Sequence, residues 1–312
     1  MSAGGGTKAV VAALGANLAI ATMKFVAFAL TASSSMLAEA IHSVADSGNQ
    51  VLLLVGGKRA SRAASPQHPF GYGRERYIYA FIVSIVLFSV GGLFALFEAW
   101  EKLQHPHGIE GPWWWVPLAI LVGSIAAEGF SFRTGLREAR PFRGGQSWVS
   151  FIRTAKQPEL PVVLLEDFGA LIGLVCALFG VSLTLATGSG VWDALGTGLI
   201  GLLLVGIAAV LALETSSLLL GESAGAEDLA RIEAALTSDG TRIIHLRTMH
   251  LGPEELLVGA KFSVARGATG EQIARAIDDA EARIRSAVPS ARVIYLEPDI
   301  PRSEQRGDPA IR

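Results

Sequence analysis

Charge is scarce in this chain and cysteine nearly absent. Of 312 residues, 17% are charged and 51% hydrophobic, with a mean hydropathy of +0.43. That argues against a soluble fold throughout and for a membrane protein. One cysteine, Cys176, falls in an apolar run, so no disulfide forms within the chain and a cysteine-based zinc site is excluded. No basic block is present that would track a phosphate backbone, so nucleic acid is not an expected partner. The net charge of -2 adds nothing to that question. No His-Glu-x-x-His or comparable ligand-plus-base motif occurs, which argues against an intramembrane metalloenzyme. The Gly-rich stretch Met1–Thr7 carries no separate signal peptide with a cleavage site, so the first apolar segment is expected to serve as its own insertion signal.

What is present in quantity is apolar sequence. Segments at about 9–31, 35–56, 77–100, 113–132, 161–186 and 191–220 are each near or above the ~20 residues that cross ~30 Å of hydrocarbon. They predict six transmembrane helices within residues 1–220. Lys58, Arg59, Arg62, Arg74 and Arg76 lie between the second and third segments. Arg133, Arg137, Arg140, Arg143, Arg153 and Lys156 lie between the fourth and fifth. The remaining connections hold only Lys102, so the basic side is expected to be cytoplasmic, with both termini on it. Trp113, Trp114 and Trp115 mark the opposite interface. Compact loops and the lack of a long targeting segment suggest a prokaryotic plasma membrane.

After Gly221 the composition changes, and 221–302 reads as a small cytoplasmic domain. In Glu227–Thr237, Leu229, Ile232 and Leu236 share a helical face. Arg242–His250 and Glu255–Val264 read as strands split by Gly252-Pro253. A second helix runs from Gly270 to Val288, and Ala291–Glu297 is a third strand. The order αββαβ predicts a three-stranded sheet covered on one face by two helices, an α+β unit. The polar tail 303–312 is expected to be disordered.

The chemistry concentrates in Met36–Gln50. His42 and Asp46, at i and i+4, share one helical face, and Glu39 and Asn49 extend the same stripe. Ionisable groups at membrane depth are costly and usually mark an ion path or a partner. An imidazole nitrogen and a carboxylate oxygen aimed at one point supply half of a tetrahedral metal site. A purely structural reading, an interhelical hydrogen bond, competes with it. Glu166 and Asp167 in the fifth segment offer the other half; adjacent in a helix, they point about 100° apart and need not share a target. Glu39 and Asn49 are candidates for support behind the ligands. Glu128 lies deeper than Glu98 or Glu214 and is a weaker candidate for a proton path. Asn17 and Lys24 are read as structural. One histidine with carboxylates suits zinc and tolerates manganese, iron or cobalt.

His42-Ser-Val-Ala-Asp46 with Ser47-Gly-Asn-Gln50, Pro66-Gln-His-Pro-Phe-Gly-Tyr-Gly-Arg-Glu75, Leu246-Arg-Thr248 and Val293-Ile-Tyr-Leu-Glu-Pro298 together resemble the cation diffusion facilitator family. The resemblance covers nearly the whole chain. It implies a homodimeric, proton-coupled exporter of divalent cations, with zinc as transported substrate, protons as counter-ion, and alternating access. It assigns His42 and Asp46 as metal ligands with Asp167 or Glu166. The family's first ligand in the fifth segment is missing, since Val162 and Val163 stand there. Leu165-Glu-Asp167 is similar to the zinc transporter 9 branch, which carries an acidic pair at this point. Of the family's loop site only His68 remains, beside Ser65 and Tyr72. Of its cytoplasmic cluster His245 and His250 remain, and strand alternation places them on opposite faces. The missing ligand leaves a second reading: a transport-inactive scaffold acting through its cytoplasmic domain.

Overall fold

Helices follow the apolar runs but do not stop where the runs stop. The computed structural model describes residues 3–109, 111–238 and 240–300, with side chains from residue 17 onward. The tail expected at 303–312 lies outside the described residues. The helices are α1 (Ala3–Thr31), α2 (Ser34–Ala60), α3 (Glu75–Val86), α4 (Phe94–Gln104), α5 (Val116–Arg143), α6 (Trp148–Thr154), α7 (Glu159–Thr187) and α8 (Val191–Leu220). A π-helical turn, Leu87–Leu93, joins α3 to α4 without a break. The basic connection before α7 is not a loop: α5 continues to Arg143, ends at Gly144 with φ +57°, and is followed by α6, capped by Ser147 Oγ accepting from the Ser150 amide.

The expectation of six transmembrane helices is corrected. Among the described residues, four helices are long and apolar enough to cross a membrane: Glu75–Gln104, Val116–Arg143, Glu159–Thr187 and Val191–Leu220. The described apolar part of α1, Asn17–Thr31, is shorter. α2 has the length, but Glu39, His42, Asp46, Asn49, several serines and its terminal Lys58 and Arg59 dilute its apolar content. The polar stripe read from the sequence is what lowers the mean hydropathy of the helix below that of a lipid-facing span. What α2 lacks in hydropathy it makes up in burial: Met36, Ala38, Glu39, Ala40, His42, Ser43, Ala45, Ser47, Asn49 and Leu53 are all buried. The chain is a multi-pass membrane protein.

The chain divides into two compact units, Met1–Arg62 with Glu75–Ser216, and Ala63–Arg74 with Ser217–Arg312. In the first, Met36, Val83, Leu87, Leu121, Leu174, Ile200 and Leu204 form the apolar core. Small residues let backbones approach there. A Cβ on Gly180 would lie 2.9 Å from the Trp192 carbonyl oxygen, and one on Gly201 2.9 Å from the Leu96 amide. In the second, α9 (Ala226–Thr237), β1 (Ile243–Gly252), β2 (Glu255–Ser263), α10 (Gly270–Ala287) and β3 (Ala291–Asp299) give the αββαβ order. The sheet order is β1-β2-β3, with β1 antiparallel and β3 parallel to β2. Alternate residues of β2, namely Leu256, Val258, Ala260 and Phe262, are buried. The first three pack with Ile232, Leu236, Ile284 and Val288. A capping box starts α10: Thr269 Oγ accepts from the Gln272 amide while the Gln272 side chain accepts from the Thr269 amide.

Candidate metal centre

α2 begins on a cap held from a distant helix. Ser33 Oγ accepts from the Met36 amide. Around it, the buried Asp193 in the first turn of α8 accepts from Ser33 Oγ (2.9 Å), the Ser34 amide (2.8 Å), Ser34 Oγ (3.1 Å) and the Ser35 amide (3.3 Å). The first backbone donors of a helix have no partner of their own, and a carboxylate at the positive end of the dipole satisfies them well. Ala32, just before the cap, has φ +51°, and its carbonyl accepts from the Lys102 ammonium at 3.0 Å.

From that fixed end the stripe runs through three turns of helix. His42 is buried, and its Nε2 lies 3.5 Å from Asp46 Oδ2. Neither imidazole nitrogen has a hydrogen-bond partner among the described residues, nor does Asp46 Oδ1. Buried polar atoms in native proteins are nearly always satisfied, so two imidazole nitrogens and a carboxylate oxygen without a protein partner leave this point open to water or a ligand. The π-helical turn closes on this point: a Cβ on Gly91 would lie 3.8 Å from His42 Nδ1. Such turns recur at functional sites because they shift the local backbone out of helical register.

α7 answers from the other side. Glu166, buried, accepts from Asn49 Nδ2 through Oε1 at 2.6 Å, which brings it to the α2 stripe. Asp167 points away to α5, where its Oδ2 accepts from Ser131 Oγ at 3.1 Å. Glu39 pairs with Lys24 of α1: Oε2 accepts the ammonium at 2.9 Å. The remaining Glu39 oxygen, Oε1, has no hydrogen-bond partner.

The structure thus joins His42 to Asp46 and Glu166 to Asn49. Among the described residues, no group of three or more histidine, cysteine or acidic side chains stands close enough to hold a metal ion. The other candidates lie in the second unit. His68 is exposed in the 63–74 segment and stacks on Tyr72 with centroids 4.6 Å apart. His245 is exposed on β1, paired in register with Lys261. His250 is buried with Nδ1 3.4 Å from the Gly252 carbonyl. Sequence reasoning missed Asp193, whose signal was the Ser33-Ser34-Ser35 run needing an acceptor. It also missed Gly91, since nothing local announces a π-helical turn.

Residues 10–220 match the cation efflux transmembrane domain family. Over 225 residues, 71% of this chain, it is 34% identical to the mitochondrial proton-coupled zinc antiporter SLC30A9 of Xenopus laevis and to that of Homo sapiens. The match covers 40% and 39% of those proteins, so the chain spans about two fifths of their length. It is 27% identical over 237 residues to metal tolerance protein C4 of Arabidopsis thaliana, covering 74% of this chain and 51% of that protein.

Proposed function

The chain belongs to the cation efflux family, and from that premise we propose that it carries a divalent cation, zinc first, across the membrane in exchange for protons. The observation that carries this reading is the buried His42 imidazole, empty at both nitrogens and 3.5 Å from Asp46. In this reading His42, Asp46 and Glu166 are the ligands, and Asp167 serves the α5 side. Asn49 holds Glu166 until the ion draws it over. Metal binding requires neutral imidazole and ionised carboxylates, so protons and metal compete for the same atoms. A site opened alternately to two sides then exchanges one for the other. The relatives named as proton-coupled zinc antiporters support both the ion and the counter-ion.

The basic connections at 58–76 and 133–156 support a cytoplasmic side there, with both termini on it, and the compact loops support a prokaryotic plasma membrane. Residues 1–220 form the membrane domain and 221–302 the cytoplasmic one. The assembly is a homodimer, as the family resemblance implies.

The test is flux in proteoliposomes under an imposed pH gradient, with zinc, manganese, cobalt and iron offered in turn. Proton-driven uptake of zinc, lost in Asp46→Ala, is the expected result. Well-folded protein that moves none of the four ions would sink the transport reading and favour a scaffold.

A further inference from the structure

The polar stripe of α2 holds one acid more than the site uses. Glu39 is fully buried one turn before His42, with Oε2 on the Lys24 ammonium. Lys24 is itself 1% exposed and also donates to Ser43 Oγ at 2.8 Å, beside His42 in sequence. Glu39 Oε1 is left empty, and α7 closes over it at Gly173, where a Cβ would lie 2.8 Å from that oxygen. Any residue larger than glycine would press on the carboxylate. A buried ion pair is a weak source of stability, because desolvation offsets most of its attraction; two apolar side chains would join α1 to α2 as well. What the pair offers that they cannot is charge in a set place.

We propose that Lys24 is a fixed counter-ion of the transport site: it cancels Glu39 and leaves Asp46 and Glu166 as two free carboxylates, matched to one divalent cation. The inference rests on the transport reading above. A pocket of two carboxylates and a divalent ion is neutral, and surplus charge at that depth is costly. Without Lys24, Glu39 becomes a third free carboxylate one turn from His42. The pocket then holds its ion under surplus negative charge, releases it slowly, and favours ions that prefer oxygen ligands. Lys24 and Glu39 are therefore positioning and selectivity residues rather than ligands.

The experiment uses the full chain, with zinc and manganese as probes. Affinity is measured by calorimetry in detergent and flux in proteoliposomes. Lys24→Gln should lower KM and Kd for zinc by roughly tenfold, the effect of an uncancelled unit charge one helical turn from His42. It should also reduce maximal flux and raise the manganese-to-zinc ratio. Lys24→Gln with Glu39→Gln should return all of these toward native, and Lys24→Arg should keep native selectivity. Glu39→Gln alone leaves the ammonium uncancelled and should raise the zinc Kd by roughly tenfold. If Lys24→Gln does not fold, the double variant and Glu39→Gln decide. Zinc affinity and ion ratio unchanged in Glu39→Gln, or equal loss of thermal stability in Lys24→Gln and the double variant with native Kd, would make the pair a structural pin and overturn the proposal. Absence of flux in the native chain counts against transport alone; the zinc affinities in detergent still decide the role of Lys24.

Discussion

Asp193→Ala removes the acceptor that gathers the start of α2. Four hydrogen bonds end on that carboxylate, two from serine hydroxyls and two from the Ser34 and Ser35 amides. Of the two hydroxyls, that of Ser34 has another partner at hand, Thr197 Oγ1 at 3.1 Å. The two amides have none, because they are the first donors of a helix and are buried. Each buried amide left without a partner costs about 1–3 kcal/mol, so the substitution should cost about 2–6 kcal/mol. Loss of the charge at the helix N-terminus adds up to about 1 kcal/mol. Asp193→Asn keeps one side-chain acceptor and should cost roughly half as much. Unfolding of the full chain in mixed micelles gives the stability, and amide exchange resolved to the 33–36 segment gives the location. The expected result is a large loss of stability with faster exchange confined to that segment. An Asp193→Ala chain within about 0.5 kcal/mol of native, the range of an ordinary surface substitution, would refute the cap as the anchor of α2.

Two further pairs of substitutions have contrasting expected outcomes. Glu166→Gln should reduce zinc flux by at least about 100-fold if the proposed ligand set holds, whereas Asp167→Asn keeps its Ser131 contact and should cost about tenfold or less; zinc flux and Kd measured side by side check this, and the reverse order would assign Asp167 as the ligand. Gly180→Ala should destabilise by about 1–3 kcal/mol because its methyl meets the Trp192 carbonyl oxygen at 2.9 Å. Gly206→Ala, with nothing within 4 Å, should be neutral or stabilising by up to about 1 kcal/mol in the same unfolding assay.

The αββαβ unit was legible because its signals are local. Alternation along β2, helical spacing of Ile232 and Leu236, and the Gly252-Pro253 turn each act within a few residues. The α2 stripe was legible for the same reason, since 100° per residue aligns Glu39, His42, Asp46 and Asn49 from spacing alone. The same angle separates Glu166 from Asp167, and the structure turns one to α2 and the other to α5. Which acid took which side depended on how α7 is rotated against its neighbours, and that is set by packing such as Gly169 against Ile207. The pairing of Lys24 with Glu39 and of Asp193 with the serine run joins residues 15 and about 160 positions apart. No local pattern encodes either. The count of spans was misread for a related reason: hydropathy averages over a helix, while burial is decided one face at a time.

That distinction bears on how α2 works. A helix with Glu39, His42, Asp46 and Asn49 on one side is a poor solute for hydrocarbon, and the protein surrounds it. α1 supplies Lys24, α7 supplies Glu166 and the close approach of Gly173, the π-helical turn supplies Gly91, and α8 supplies Asp193. Each contact answers a polar group that lipid could not. The answers are uneven along the helix. At the serine end the Ser34 and Ser35 amides and the Ser33, Ser34 and Ser35 hydroxyls are all met by Asp193 or Thr197. Near the middle, His42, Asp46 and Glu39 each keep an empty polar atom. The satisfied end resists movement because shifting it would strand buried amides. In the proposed transport reading, the unsatisfied middle is where a cation would gain contacts. The helix is thus held at its serine end by satisfied donors and keeps its open polar atoms at the centre, where the proposed ligands stand.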